Sequence, residues 1–353
     1  MARRRPILRA HRGSNAAGLS STSSLSRGIS DLQSVVTSGS SSSSSTRMSS
    51  STSTSNRRAA CISLLAGAAA VASALAPPSA RAAAAAADGA AAVEEQAYAA
   101  YAERRFAEAV RLLDSIAEPD NPRWLEMRAQ VLVDGKDFEG AVRDYGAALR
   151  RSEEAGAPLT DRARLLSGRA LAYEGLSKWA EALADYDAAM ALAAAGGESP
   201  DPYVINARGN CLNSLRQWRE AREEYLAAAD VFQASRGYRG RNGNTTARLD
   251  GAIFAASNAA LMLAEMGDAE GAEAEMRRIA RRAPGSADMR VALAALLWQR
   301  GLDADAEEQW QYACDRITVG CRKYTDADWL SRVRRWPPSM VAALSDFLSL
   351  KHS

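Results

Sequence analysis

The sequence predicts an all-α protein, a solenoid of about six helix pairs closed by a C-terminal helix and preceded by a disordered N-terminal region. Three observations carry this reading. Across residues 94–316 a pattern recurs: usually an aromatic residue, alanine three places on, and a large residue four further. About a dozen residues before each of those alanines stands another small residue. Aromatic residues make up only 6% of the 353 and alanine is abundant, which suits closely packed helices better than a β-rich domain.

The N-terminal elements read as an address. Residues 1–58 hold 20 serines, five threonines and nine arginines, with Asp31 the sole acid. Such a segment is too polar to bury a core, and its composition is that of a chloroplast-type transit peptide. Arg57-Arg58 precede the eighteen uncharged residues Ala59–Ala76, followed by Pro77-Pro78 and Ala80-Arg81-Ala82. Residues 59–82 therefore have the order of an export signal with a cleavage site after small residues. Displaced this far from residue 1, they resemble the second half of a thylakoid-lumen address, and the paired arginines resemble a twin-arginine signal. A retained single-span anchor and simple stromal or mitochondrial import are the alternatives. Residues 83–93 read as an Ala-rich linker. The formal charge of the whole chain is +2, but residues 83–353 carry an acidic excess of seven. An acidic body argues against a nucleic-acid partner, because phosphate binding needs a positive surface.

The repeats follow. The clearest are Phe138, Ala141 and Tyr145; Trp179, Ala182 and Tyr186; and Trp218, Ala221 and Tyr225. Weaker copies are Phe106, Ala109 and Leu113; Ala269, Ala272 and Met276; and Asp303, Ala306 and Trp310. The preceding small residues are Ala97, Ala129, Ala170, Gly209, Ala260 and Ala294. Two antiparallel helices approach closely only where small side chains meet. The large residue at +4 then fills the wedge between neighbouring pairs. One pair cannot bury its own apolar face, so several must stack. Loops at Gly196–Pro202 and Gly237–Asn244 absorb the irregular spacing.

These residues resemble the tetratricopeptide repeat over about residues 94–316. The resemblance implies a right-handed superhelix whose first helices line a concave groove that binds proteins. On that pattern Asn206, Asn210, Asn213 and Asn258 line the groove, with Asn210 and Asn258 placed like the asparagines of a peptide clamp. Asparagine both donates and accepts, so it can hold an extended peptide backbone. Asn206 stands where such a clamp has a cation, which argues against capture of a C-terminal carboxylate. A solvated polar helix face is the competing reading.

The tail, residues 317–353, runs from Trp329 through Arg334 and Arg335 to Trp336-Pro337-Pro338, then Met340–Leu350. A proline at the first helical turn is well placed to start a helix, and Leu344, Phe347 and Leu348 share a face. A cap for the stack is one reading of the tail; a docking site at Trp329, Arg334, Arg335 and Trp336 is the other. The tail sequence also resembles a plant and cyanobacterial family of thylakoid-associated repeat proteins. Cys314 and Cys321 flank a short loop in which Gly320 could end the helix. They read either as free buried thiols or as a disulfide tying the tail to the last repeat. Cys211 reads as a small core residue. Arg277, Arg278, Arg281 and Arg282 read as favourable charge near a helix C-terminus, or as a patch for an acidic partner.

Catalysis is not expected. The two histidines, His11 and His352, lie near the termini, which removes serine–histidine, cysteine–histidine and HExxH chemistry from the body. No CxxC pair or phosphate loop occurs, so no metal or cofactor is expected. No apolar run is strong enough for a multi-span membrane protein. The expected partner is a protein segment, with membrane association depending on the fate of residues 59–76.

Overall fold

A computed structural model describes residues 78–116, 121–234, 246–317 and 320–350. The expected transit region 1–58, the apolar run Ala59–Ala76, Cys61 and the loop Gly237–Asn244 lie outside the described residues.

The described residues form six helix pairs and a final helix, with no strand among them. The pairs are α1 (Pro78–Ala102) with α2 (Phe106–Asp114), α3 (Pro122–Asp134) with α4 (Phe138–Glu154), and α5 (Leu159–Gly175) with α6 (Trp179–Ala195). They continue as α7 (Pro202–Ser214) with α8 (Trp218–Ala234), α9 (Thr246–Glu265) with α10 (Ala269–Arg282), and α11 (Ala287–Gln299) with α12 (Asp303–Asp315). The cap is α13 (Pro338–Leu350). Residues 83–93, expected as a linker, are helical backbone within α1. Alanine loses no side-chain entropy in a helix and ranks first in helix propensity, so an alanine run favours helix over loop.

The repeat pattern maps directly onto packing. Every key alanine of both helices is buried, from Ala97 and Ala109 through Ala294 and Ala306. The +4 residues Leu113, Tyr145, Tyr186, Tyr225, Met276 and Trp310 are buried as well. The wedges are tight: a Cβ added at Gly168 of α5 would lie 2.4 Å from the Tyr145 ring of α4.

The turn inside each pair places one residue in the left-handed region, always two positions before the second helix. These residues are Arg104 (60°), Lys136 (66°), Ser177 (58°), Arg216 (61°), Gly267 (87°) and Gly301 (70°). Only the last two are glycine. At the other four the Cβ penalty, of order 1–2 kcal/mol, is offset by bonds that close the preceding helix. At Lys136, for example, the Lys136 amide donates to the Val133 carbonyl (3.0 Å) and the Asp137 amide to that of Leu132 (2.8 Å). The Asp137 and Asp268 side chains then cap the next helices, accepting from the Gly140 and Gly271 amides at 2.9 Å.

A second periodic feature ties the two helices of a pair. The residue before the small one is arginine in three repeats, and it meets an acid three places after the second helix's key alanine. Arg128 holds Asp144 with two bonds of 2.6 and 2.8 Å. Arg169 holds Asp185 with two bonds of 2.7 Å, and Arg208 meets Glu224 at 2.7 Å.

The core is continuous from the fourth repeat into the tail. Tyr225, Met262, Met276, Leu293 and Leu297 form one buried cluster with Leu330, Trp336, Met340, Leu344 and Phe347. The tail thus caps the last pair, and Pro338 starts α13 as expected. The α13 N-terminus is held by Glu265 of α9, which accepts from the Ser339 amide (3.0 Å) and hydroxyl.

Candidate functional site

The site is built where the tail re-enters the solenoid. α12 ends at Asp315, short of Gly320, the expected end. Gly320 instead turns the following loop with φ of +65°. That turn brings Cys321 back to Cys314, and the two form a disulfide with Cα atoms 4.7 Å apart. Of the two readings of this pair, the structure holds the bridge. A short 3₁₀ turn, Arg322–Thr325, and a π-helical turn, Trp329–Arg334, carry the chain onward. Arg335 then reverses it in the left-handed region, φ 59°.

The reversal lays three successive residues against the first helices of four repeats. Arg334, 4% exposed, donates from Nε to Asp288 of α11 at 2.9 Å and from Nη2 to the other carboxylate oxygen. Its Nη1 reaches Asn258 of α9 at 2.6 Å, and its guanidinium lies 4.5 Å over the Phe254 ring. Arg335 pairs with Glu174 of α5 and stacks 4.9 Å over Trp179 of α6. Its carbonyl accepts from Asn213 of α7 at 2.9 Å. The indole of Trp336, 3% exposed, donates to Asp288 at 3.2 Å and packs on Tyr324.

The electrostatics explain why charge can sit here. Burial is the largest single influence and opposes the Arg334 charge, but its neighbours together, Asp288 foremost, hold the guanidinium pKa above its ordinary value. Burial likewise opposes the Arg335 charge, and its neighbours together, Glu174 foremost, raise the pKa in spite of it. Glu174 is further held by the Tyr186 hydroxyl, which donates to it at 2.6 Å. Both arginines are thus paired and stacked, which a buried charge requires.

This corrects three expectations. Asn206, Asn213 and Asn258 lie on the first helices α7 and α9 and are buried, not open to a partner. The tail takes the bonds expected for a foreign peptide. Asn210 serves its own repeat: its side-chain oxygen accepts from the Tyr225 hydroxyl at 3.0 Å. Asn206, 1% exposed, accepts only a long bond of 3.5 Å from Asn258, and its amide nitrogen has no partner. Arg334, Arg335 and Trp336 do not form an outward docking surface, because they face their own groove. Trp329 is partly buried, edge-on to Tyr324 at 5.5 Å.

The site's two carboxylates, Glu174 and Asp288, were missed, as were the rings of Phe254 and Tyr324. Glu174 stands four places after Ala170, the same position that Asn213 holds after Gly209. Repeat register alone would have found it. Asp288 sits in the first turn of α11, where an acid reads as favourable helix-dipole placement, so no local signal marks it.

Elsewhere, Cys211 is a buried free thiol whose pKa burial pushes up. Of the arginine run, Arg281 and Arg282 lie in the last turn of α10, while Arg277 pairs with Glu273 at 2.7 Å. Among the described residues no three metal-ligating side chains gather, and no helix is long and apolar enough to cross a membrane.

No protein-family profile matches the chain, and no curated protein matches it. Solved structures do. Apo RapI superimposes with a TM-score of 0.50 at 11% identity, covering 74% of this chain and 99% of that one. YrrB, described as a TPR protein with an unusual peptide-binding site, gives 0.40 at 16% identity, covering 59% and 89%. BtubC from P. vanneervenii gives 0.45 at 18% identity, covering 64% and 86%. At such identities the likeness is one of fold. The six pairs, with small residues at every crossing, define the class: an α-solenoid of tetratricopeptide-repeat type.

Proposed function

We propose that the protein is a non-catalytic binding scaffold whose concave groove holds a peptide segment of another protein. One observation carries this: the groove of α5, α7, α9 and α11 grips a peptide segment, residues 334–336 of the chain itself, through side chains from four repeats. Peptide recognition in general combines bonds to the peptide backbone with pockets for its side chains.

The thylakoid lumen of a chloroplast is the proposed location, and assembly or maintenance of a photosynthetic complex the proposed role. Support comes from the serine- and arginine-rich start, Arg57-Arg58, the apolar run and the Ala80-Arg81-Ala82 site. The Cys314–Cys321 bridge also suits an oxidising compartment. If residues 59–76 are retained, the same scaffold becomes a membrane-held adaptor. Co-purification from isolated thylakoids tests the proposal. Recovery of a thylakoid protein whose binding is lost on Asn258→Ala is expected. Recovery of stromal or mitochondrial proteins alone would defeat the location. The first residue of the mature protein separates the two forms: a start near Ala83 identifies the soluble one.

A further inference from the structure

We infer that the groove is a receptor for a basic–aromatic segment of a partner protein, two adjacent arginines followed by an aromatic residue. Residues 334–336 are then the chain's own copy of that ligand. The inference rests on the scaffold reading above and gives it a ligand chemistry.

Each part of the segment meets a dedicated group on a different helix. The first arginine has Asp288, Asn258 and the Phe254 face. The second has Glu174 and the Trp179 face, and its backbone is read by Asn213. The indole has Asp288 as acceptor. Whenever the tail leaves, two carboxylates in a closely packed groove lose their cations. A buried charge stripped of its partner is strongly unfavourable. A neutral or acidic segment would leave Glu174 and Asp288 in that state, and a single lysine could answer only one of them. Planar, bidentate pairing plus stacking on a ring favours arginine specifically.

One edge of the bound segment is open to solvent. The segment just before it faces water: Val333 is 60% exposed, and Arg332 pairs only with exposed Asp328. Arg335 reaches its place through a left-handed conformation, closed by the Trp336 amide donating to the Leu330 carbonyl at 2.9 Å. The Asn206 amide, buried in the same asparagine row, stays without a partner. A longer partner strand in ordinary extended conformation can supply an acceptor there. Because the tail is tethered, it competes as an intramolecular ligand, so affinity in trans is scaled by the fraction of chains with the tail released.

The test uses the full chain and a fluorescent peptide spanning residues 328–338, read by anisotropy. The Arg334→Gln/Arg335→Gln variant weakens the tail's grip but leaves the groove intact. It should bind the peptide at least tenfold more tightly than the wild type does. Adding Asp288→Asn to it should lose at least tenfold. Glu265→Gln, which loosens α13 outside the groove, provides a second released form with the tail sequence unchanged. Failure of both folded variants to bind, or equal binding of a peptide with its arginines replaced by glutamine, would overturn the inference. A concentration-dependent dimer of the Glu265→Gln variant, dissolved by the peptide, would assign the site to a second copy of this chain and overturn the partner assignment. A mixed-sequence peptide array separates the two levels. Capture of segments lacking arginine pairs would sink the ligand chemistry and leave the scaffold standing; capture of none would sink both.

Discussion

Replacing Asp288 by asparagine removes one charge from the most buried ion pair in the groove. Arg334 is 4% exposed and cannot turn to water. Its remaining contacts are Asn258 and the Phe254 ring, neither of which is charged. Breaking a buried pair by removing one partner costs about 3–5 kcal/mol. The asparagine oxygen still accepts one bond, from Arg334 or from Trp336, so the lower end, about 3 kcal/mol, applies. In a chain of this size that corresponds to a fall in Tm of roughly 6–12 °C. The loss has a ceiling: once the tail undocks locally, the stripped charge reaches water and further penalty vanishes. Urea unfolding followed by far-UV circular dichroism, with hydrogen exchange over residues 329–348, measures both effects. The double variant Asp288→Leu/Arg334→Met removes both charges. It leaves the lost hydrogen bonds of Trp336, Tyr324 and Asn258, about 0.5–1 kcal/mol each. It should therefore be more stable than Asp288→Asn alone. A single variant within about 1 kcal/mol of wild type with unchanged exchange, or a double variant whose losses simply add, would refute the account of the groove as an ion-pair lock.

Three further outcomes are expected. Opening the Cys314–Cys321 loop by Cys314→Ser/Cys321→Ser should cost about 2.5 kcal/mol by loop entropy and speed exchange at Tyr324 and Trp336. Peptide mapping of unreduced protein should find the two cysteines linked. Gly168→Ala should lose about 1–3 kcal/mol, because the new methyl meets the Tyr145 ring. Gly89→Ala, with open space around it, should gain up to about 1 kcal/mol of helix propensity; similar melting of the two variants would contradict the wedge geometry. Burial raises the Glu126 carboxyl above its ordinary pKa, with Arg164 opposing. The folded state therefore holds that proton more tightly than the unfolded one. Its contribution to stability is full below the ordinary value of about 4.3 and is lost as pH climbs from there through the raised folded value. Glu126→Gln should flatten that slope in denaturation series across the window; an unaltered slope would count against the burial argument.

Much of the fold was legible because its rule is local. Ala141 with Tyr145, or Ala221 with Tyr225, lies one helical turn apart, and the same steric demand returns in each repeat. The asparagines were legible as polar positions of the first helices for the same reason. Their state was not, since nothing near Asn213 or Asn258 in sequence indicates that Arg334 and Arg335 will cover them. The alanine stretch at 83–93 was misjudged from composition, although alanine's own propensity points to helix.

The sequence by itself thus determined the stack: a periodic alternation of small and large side chains specifies which helices can touch, and each contact joins near neighbours. Only the tertiary structure decided what fills the groove. Arg334 meets Asp288 across 46 residues and Arg335 meets Glu174 across 161. No sequence period links such partners. They meet because the first helices of four repeats present one residue each to the same segment, and because a bridge and a left-handed turn bring the tail back to them.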